Sequence, residues 1–323
     1  ITVFRDGFDR KAAQEVTGAT LPILTGLVDK SLLRVTSSGR YEIHELLRQF
    51  ATEKLAQVPT EQEAAQDAHC RYYAGFLQAR EWQLAGLQGV ATLTELSQES
   101  DNIRACWYRA IVSGRPVAVT EIIQCTWSLI ILYAWRGWNQ EGVEFFGQAA
   151  ARLQEEIVST PSSPQKNLAY GQVLVGLGDS YHHLGNLERA TELYQQSLLA
   201  LRQSDVDSRN AKRAQGLALH LLGASAWRRG RYTEAKQSLT EGLTLFKEVE
   251  DRVFEARSTL FLGIIAVELG EYLKAEQLLQ QGLQVFKDLD EYWYAIEALD
   301  YLARARHALG KPLTEMRQLA EEN

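Results

Sequence analysis

The sequence predicts a mainly α-helical protein, in which a superhelix of repeated helix pairs follows a small N-terminal domain that contains two strands. Three observations favour this fold class. Glycines recur at matching positions in aligned copies after residue 160, strand-like alternation is confined to the first 57 residues, and the remaining sequence has helical periodicity. A length of 323 residues allows two domains or one elongated array, and 46% hydrophobic with 23% charged residues is typical of folded proteins.

Residues 1–57 are predicted to form a partial winged-helix domain. Asp9 is a good N-cap for a helix over "RKAAQEV" that Gly18 ends, and Thr20 can cap a second helix, "LPILTGLVDKS". The segments "LLRVT" and "RYEIH" alternate around a Ser-Ser-Gly turn, which predicts a hairpin, and helical spacing returns after His44. The opening "ITVFRDGF" resembles the end of a helix, so we expect the domain to be N-terminally truncated.

Residues 58–160 are predicted to form a helical connector with degenerate hairpins. Thr60 and Glu63 have the spacing of a capping box at the start of a long amphipathic helix that runs to about Leu84. The Pro- and Ser-rich segment "STPSSPQK" (159–166) is the clearest boundary in the chain. A repeat array is therefore predicted over residues 161–323.

Three stretches of this array share one frame. They are "GLGDSYHHLGNLERATELYQQSL" (176–198), "LLGASAWRRGRYTEAKQSLTEGL" (221–243) and "FLGIIAVELGEYLKAEQLLQQGL" (261–283). One position of the frame is occupied by Gly178, Gly223 and Gly263, and by Ala303 in the next copy. A second position is occupied by Gly185, Gly230, Gly270 and Gly310, and a third by alanines at 190, 235 and 275. A looser copy surrounds Gly137. These repeats resemble tetratricopeptide (TPR) repeats. The first small residue would let helix A approach helix B, the second glycine would end helix A, and stacked copies would share one core.

Further stretches resemble a larger family. "LVDKSLL" with "RYEIHELLRQFATEKL", "ESDNIRACWYRAIVSG" and "WRGWNQEGVEFFGQAAA" resemble the region after the nucleotide-binding module of bacterial STAND-class (NB-ARC-type) signalling ATPases, and the resemblance covers essentially the whole chain. It implies a winged helix that packs on the ATPase and carries a Met-His-Asp motif, whose histidine approaches the β-phosphate of ADP. The matching tripeptide is Ile43-His44-Glu45. It makes His44 the candidate nucleotide-sensing residue, while from spacing alone His44 is a polar residue at a strand-to-helix junction that caps or packs.

The sequence argues against several other functions. It contains no GxxxxGK[ST] phosphate loop and no catalytic constellation, so these residues are predicted to be no enzyme and to hold no cofactor, with ADP or ATP expected in the full-length protein. No apolar run is long enough to span a membrane, no signal peptide opens the chain, and three scattered cysteines form no CxxC, which predicts a cytoplasmic protein. Adjacent histidines diverge on a helix, so no metal site is predicted.

A TPR superhelix usually binds its ligand on the concave face that helix A lines. Projection of helix A from the small-residue positions predicts a ligand- or partner-binding set, and the looser upstream copy adds two tryptophans. The set comprises Trp127, Trp135, His182, His183, His220, Trp227, Arg228, Arg257, Glu268, Asp300, Arg304 and His307. Aromatic and arginine side chains suit the centre of an interface.

These observations lead to one main hypothesis and two alternatives. The main hypothesis is the sensor and regulatory arm of a STAND-type ATPase, which binds a protein, peptide or small inducer and relays it through the winged helix to an upstream nucleotide-binding domain. The alternatives are a DNA-binding regulator and a TPR scaffold for protein–protein interaction. Nucleic acid is disfavoured by the net charge of −7, and residues 1–57 carry 8 Lys and Arg against 7 Asp and Glu.

Overall fold

The computed structural model describes residues 1–84, 88–161, 163–205 and 208–312. Helices dominate these ranges, as the sequence predicts, and none of the helices described there is long and apolar enough to cross a membrane. The chain divides into two compact units. The N-terminal unit comprises Ile1–Glu81 and Ala91–Leu132, and the repeat unit comprises Trp82–Val90 and Tyr133–Asn323.

The N-terminal unit combines a short hairpin with helices. In chain order its elements are α1 (Arg10–Thr17), α2 (Leu21–Asp29), β1 (Arg34–Val35), β2 (Tyr41–Glu42), α3 (Glu45–Ala56), α4 (Pro59–Arg80), α5 (Gly89–Gln98), α6 (Ser100–Ile111) and α7 (Val119–Arg136), the last of which continues into the repeat unit. The two strands pair antiparallel, and an isolated bridge between Phe8 and Tyr41 adds a third extended segment.

The structure confirms the predicted helix cap of α1 but not the side-chain caps predicted for α2 and α4. Asp9 caps α1, because its Oδ1 accepts a hydrogen bond from the backbone N–H of Ala12 at 2.6 Å. Thr20 stands at the N-cap of α2 but its side chain forms no cap hydrogen bond. The capping box predicted for α4 is wrong, since that helix begins at Pro59, one residue before Thr60. A proline at the first helical position has no N–H that would need a partner, and its fixed φ suits the start of a helix.

One buried side chain ties the start of the chain to α6. The amide of Asn102 accepts from the backbone N–H of Arg5 at 2.7 Å and donates to the carbonyl oxygen of Gly7 at 3.0 Å. Phe4 and Phe8, which flank this segment, are buried and stacked with ring centroids 4.4 Å apart. The sequence boundary at residue 58 therefore lies inside one compact unit, and the residues predicted as a connector contribute to both units.

The three cysteines, scattered in the sequence, meet in the core of the N-terminal unit. Cys70 Sγ lies 3.5 Å from Cys106 Sγ, which lies 4.0 Å from Cys125 Sγ. All three are free thiols and buried. Hydrogen bonding to Cys106, together with burial, raises the pKa of Cys70, and hydrogen bonding to Cys125, together with burial, raises that of Cys106. The thiols are therefore protonated and poorly nucleophilic in the folded chain.

The repeat unit is a series of antiparallel helix pairs. After α7 its helices are α8 (Asn139–Ser159), α9 (Pro164–His183), α10 (Leu187–Arg202), α11 (Arg209–Arg228), α12 (Tyr232–Glu248), α13 (Arg252–Glu268), α14 (Tyr272–Asp288) and α15 (Tyr292–Ala308). Each helix packs on the next, and the odd-numbered helices from α9 to α15 also touch one another more than the even-numbered ones do. The odd-numbered helices, which are the predicted helices A, therefore line the inner side of the array.

The repeated small residues allow the helices of a pair to pack closely, as their spacing predicts. A Cβ atom on Gly178 would lie 2.6 Å from the Tyr194 ring, and one on Gly223 would lie 2.6 Å from Leu239 Cγ. These distances leave no room for a side chain, so each glycine permits close contact between the two helices of a pair. The alanines at 190, 235 and 275 are fully buried, and the four turn glycines have φ between 67° and 83°.

Buried polar pairs join successive helix pairs. Asp251 is 1% exposed; its Oδ2 accepts from Arg213 Nε on α11 at 2.7 Å, and its Oδ1 accepts from the backbone N–H of Phe254 at 3.2 Å. This carboxylate therefore caps α13 and neutralises a buried guanidinium of the preceding pair. His182 and His220 also form hydrogen bonds between successive helix pairs.

Candidate partner-binding groove

The inner side of the array presents one face of each odd-numbered helix. Residues three or four apart lie on the same helix face, and this spacing selects a common set of positions on α9, α11, α13 and α15. The polar and aromatic members of this set, which we call the inner groove, are Gln172, Asp179, His183, Arg228, Phe254, Arg257, Phe261, Glu268, Tyr294, Glu297, Tyr301 and Arg304.

Three charged residues of the inner groove interact across different helices. Asp179 on α9 and Glu297 on α15 both lie within electrostatic range of the Arg228 guanidinium on α11. Asp179 is only 7% exposed, and its one ion pair is with His183 Nε2 at 3.6 Å. Burial raises the pKa of Asp179 and of Glu297, and Arg228 opposes the rise in both. At both carboxylates the effect of burial thus exceeds that of Arg228.

A solvent-exposed arginine and an unsatisfied buried hydroxyl lie beside these carboxylates. Arg228 is exposed and forms no hydrogen bond with any described residue. The hydroxyl of Tyr194 is fully buried, close to Asp179 and Arg228, and it too lacks a hydrogen-bond partner in the described ranges. A buried hydroxyl without a partner costs about 1–3 kcal/mol, so such groups usually have a partner of some kind.

Arginines stack on aromatic rings further along the groove. The Arg257 guanidinium lies 4.8 Å from the centroid of the Phe254 ring and 4.2 Å from that of Tyr294, and its Nη2 donates to Glu291 at 3.4 Å. Arg304 repeats this arrangement, 4.6 Å from the Tyr301 ring and paired with Asp300 at 2.6 Å. The aromatic surface of this groove therefore already accepts guanidinium groups by cation–π contact.

Two of the predicted histidines are buried between adjacent helices. His182 Nδ1 forms a hydrogen bond with Ser225 Oγ at 2.8 Å, and His220 Nδ1 forms one with Ser258 Oγ at 3.0 Å. Both are 5% exposed, and burial lowers the pKa of each imidazole to about 3. These neutral side chains join α9 to α11 and α11 to α13, and they leave a ligand almost no surface to contact.

The other predicted residues are divided among three environments. Trp227 is half-buried and packs edge-on against Phe261, with centroids 5.5 Å apart. Trp127 is buried in the N-terminal unit, whereas Trp135 is 60% exposed in the repeat unit, so the structure does not place Trp127 in the inner groove. Glu268, Asp300, Arg304 and His307 are exposed on α13 and α15.

Sequence reasoning missed several groove residues. Asp179, Phe254, Tyr294, Glu297 and Tyr301 were not predicted, although each lies on a helix A. The available signal was helical spacing, since Asp179 precedes His183 by four residues, and Glu297 precedes Asp300 by three. The part of the chain that the structure describes contains no cluster of three or more His, Cys, Asp or Glu side chains that could hold a metal ion.

His44 lies at the start of α3 in the N-terminal unit. It is the N-cap residue, and its Nδ1 accepts a hydrogen bond from the backbone N–H of Leu46 at 3.3 Å. This is the capping geometry that spacing alone predicts. The helix that it caps buries none of its residues, and Leu46 and Phe50, one turn apart on the same face, are 69% and 59% exposed.

Two family models match segments of the repeat unit. A tetratricopeptide-repeat family model matches residues 214–288, and a second one matches residues 173–207. No curated protein matches the chain.

Two solved structures are similar to the chain at low identity. One is a STAND protein with a tetratricopeptide repeat sensor from Pyrococcus horikoshii, at 14% identity and a TM-score of 0.37 over 99% of this chain and 54% of that one; the chain thus spans about half its length. The other contains nearly identical TPR-like repeats of a kinesin light chain from Podosopora anserina, at 21% identity and a TM-score of 0.44 over 60% of this chain and 89% of that one. Residues 173–207 and 214–288 are tetratricopeptide repeats, a scaffold for protein–protein interaction.

Proposed function

We propose that the chain is the sensor and regulatory arm of a STAND-type signalling ATPase. In this proposal a protein, peptide or small inducer binds the inner groove, and residues 1–57 act as a winged helix that relays the event to a nucleotide-binding domain of the same protein. The observation that carries the binding role is the inner groove itself, where the buried Asp179 and the exposed Arg228 come from different helices and the unpartnered Tyr194 hydroxyl of α10 is buried close to both. A ligand that binds one state of the array better than another would shift the switch.

The state of His44 supports its proposed contact with nucleotide. Since Nδ1 accepts a hydrogen bond from a backbone N–H, a neutral imidazole carries its proton on Nε2. The side chain is exposed, so this N–H can donate to an acceptor outside the chain, and the β-phosphate of ADP is such an acceptor. The phosphate itself would be held by the nucleotide-binding domain, while His44 would contribute one directed hydrogen bond.

The adjacent helix supports docking of the winged helix on another domain. Leu46 and Phe50 present a largely exposed apolar face on α3, with Lys54 Nζ 5.5 Å from the centroid of the Phe50 ring. Burial of two such side chains stabilises an interface by about 1.5–3 kcal/mol each. We propose that this face packs on the nucleotide-binding domain beside His44.

Substitution of His44 tests the relay. In the full-length protein, His44→Ala is expected to release ADP faster and to raise basal activity, while the matched variant His307→Ala, which removes an exposed histidine of the array, leaves both unchanged. Retention of ADP and of the inactive state by His44→Ala would overturn the proposed latch.

A scaffold without nucleotide control is the alternative that the repeats support directly. It predicts that partner binding to the full-length protein is the same with and without ADP. The DNA-reading alternative has weaker support, because its candidate recognition helix α2 exposes Leu21 and Ile23 and carries few basic groups. Salt-sensitive binding of this chain to duplex DNA would favour that alternative.

A further inference from the structure

We propose that the array has a second partner-binding site, a pocket between α12, α13 and α14 that accepts one large apolar side chain of an acidic peptide. This pocket, which we call the α13 pocket, shares no lining residue with the inner groove. The inference therefore goes beyond the proposed function and does not depend on it.

The lining of the α13 pocket is mainly apolar. Its apolar residues come from the end of α13, from the position directly after that helix and from α14: Leu262, Ile265, Ala266, Leu269 and Leu278. Ile265 and Ala266 are buried, whereas Leu269 is 47% exposed. The pocket thus reaches from solvent down to the core of the array.

The volume of the α13 pocket matches a single side chain. The cavity measures about 160 Å³. Aliphatic cavities of about 150 Å³ hold a benzene ring, whereas pockets that enclose a whole small-molecule ligand usually measure about 300–1,000 Å³. The pocket therefore suits the ring of a phenylalanine, or a leucine side chain, that belongs to a larger ligand.

Two lysines from different helices line the same pocket. Lys236 Nζ on α12 lies 3.7 Å from Glu271 Oε1, and Lys274 Nζ on α14 lies 3.4 Å from Glu271 Oε2. The other lining residues are uncharged, so two cations share one carboxylate and leave one positive charge in excess. All three charged side chains are partly exposed and can contact a partner. The complementary partner is acidic next to its apolar side chain.

In the next repeat an ion pair occupies the equivalent positions. The register of the turn glycines aligns Ala266 with Arg306, and Lys236 with Glu276. Arg306 Nε donates to Glu276 Oε1 at 3.0 Å, and both side chains are buried. Ala266 has no side chain long enough to form such a bridge to α12. The α13 pocket therefore lies where the next repeat has a buried ion pair.

The preceding repeat is polar at the equivalent positions. Arg229 and Ser238 stand where the α13 pocket has Leu269 and Leu278. Arg229 Nη2 lies 3.3 Å from Glu188 Oε1, which joins the end of α11 to the start of α10. Because both neighbouring repeats have charged or polar groups here, the apolar lining is particular to this repeat and is not required by the packing of the array.

Matched peptides test the chemistry of the partner on the whole chain. The probe is a fluorescein-labelled peptide, Gly-Gly-Asp-Phe-Glu-Gly amide, and binding is measured by fluorescence polarisation. We expect the peptide with alanine in place of phenylalanine to bind at least about tenfold more weakly, because it leaves the pocket unfilled. The peptide with asparagine and glutamine in place of the two acids should bind about threefold more weakly at low salt, and added salt should reduce this difference. Equal affinity of the alanine peptide would overturn the proposal.

Two variants locate the site. Leu278→Ser and Lys236→Glu each introduce a residue type that a neighbouring repeat has at the equivalent position, so the helices should tolerate them. Each is expected to weaken binding of the phenylalanine peptide at least about fivefold. Lys236 is partly exposed, so its variant stays informative even where Leu278→Ser lowers the helix content.

The matched controls change the same residue types outside the pocket. Leu273→Ser removes a leucine of α14 that is 64% exposed, and Lys247→Glu reverses an exposed charge in the last turn of α12. Both should bind the phenylalanine peptide as the wild type does. Full affinity in both pocket variants, or the same loss in the controls, would show that the peptide binds elsewhere and overturn the site.

Two other occupants are separated by the same measurements. Decanoate that displaces the probe as well as the unlabelled phenylalanine peptide does, with the same loss in Leu278→Ser, would overturn the assignment to a peptide. Self-association of the chain in analytical ultracentrifugation, abolished by Leu278→Ser and by Lys236→Glu, would assign the pocket to a second copy of the chain and equally overturn it. A monomeric wild type that binds the phenylalanine peptide selectively would support the proposal.

Discussion

The two buried histidines make the array sensitive to acid. Burial lowers the pKa of His182 and of His220 to about 3, from an ordinary value of 6.5. Arg228 and His183 reinforce the lowering at His182, and Arg257 and His182 reinforce it at His220. The unfolded chain binds these protons below pH 6.5, and the folded chain does not. The free energy of unfolding is therefore unaffected by these two histidines above pH 6.5, and it falls as the pH drops from 6.5 towards 3.

The size of this effect follows from the pKa difference. At pH 5 each histidine lies 1.5 pH units below its unfolded pKa, which costs about 2 kcal/mol per residue at 1.36 kcal/mol per unit. Together the two residues are expected to remove about 4 kcal/mol of the unfolding free energy between pH 7 and pH 5. That is a large part of the 5–15 kcal/mol range of stabilities that is ordinary for folded domains.

Urea unfolding followed by far-UV circular dichroism at pH 7 and pH 5 measures this loss. The double variant His182→Gln/His220→Gln retains hydrogen-bonding groups towards the two serines but cannot be protonated, so we expect it to lose about 4 kcal/mol less than the wild type on acidification. The control variant, His307→Gln, removes an exposed histidine of α15 and should follow the wild type. His69, whose pKa burial lowers to about 4, is common to all three proteins and cancels in the comparison. An equal pH dependence in wild type and double variant would refute this reasoning.

Three other predictions concern stability and reactivity. Asp251→Ala should lower the free energy of unfolding by about 3–5 kcal/mol, because it removes the carboxylate that neutralises the buried Arg213 guanidinium, while Asp251→Asn should cost less since asparagine retains the cap; chemical denaturation distinguishes the two. Gly223→Ala should cost about 1–3 kcal/mol through the clash with Leu239, whereas Gly75→Ala, which meets no atom within 4 Å, should stabilise α4 by about 0.5–1 kcal/mol in the same assay. The three buried thiols should resist Ellman's reagent in the folded chain and react in denaturant; rapid reaction under native conditions would contradict their burial.

Local features account for what could be predicted of the fold. The turn glycines and the small residues at 178, 223 and 263 act within one helix pair, where contacts are between residues close in sequence, so their spacing identifies the repeats. The capping box at Thr60 was wrong because a neighbouring proline offered an equivalent helix start, and single-residue boundaries depend on such small differences.

The candidate site was predicted only in part. Arg228 and Arg257 lie on the face that we assign to the inner groove, whereas His182 and His220, one helical position away from that face, lie between helices and are buried. A rotation of about 100° per residue separates a groove side chain from an interhelical one, and the sequence alone does not determine the rotation of each helix against its neighbours. A histidine side chain also suits both positions, because its ring nitrogens can form a hydrogen bond with a serine between helices or with a ligand in the groove.

The sequence by itself determined that the chain is mainly helical, where its helix pairs repeat and which glycines end or narrow them, because these properties depend on neighbours within one or two turns. Only the tertiary structure decided which distant polar groups meet. It brought Asp179, Arg228 and Glu297 from three helices to one groove, paired Asp251 with Arg213, and gathered three scattered thiols. Such contacts depend on the packing angle and register of whole helices, which the sum of many weak apolar contacts sets and no single motif encodes.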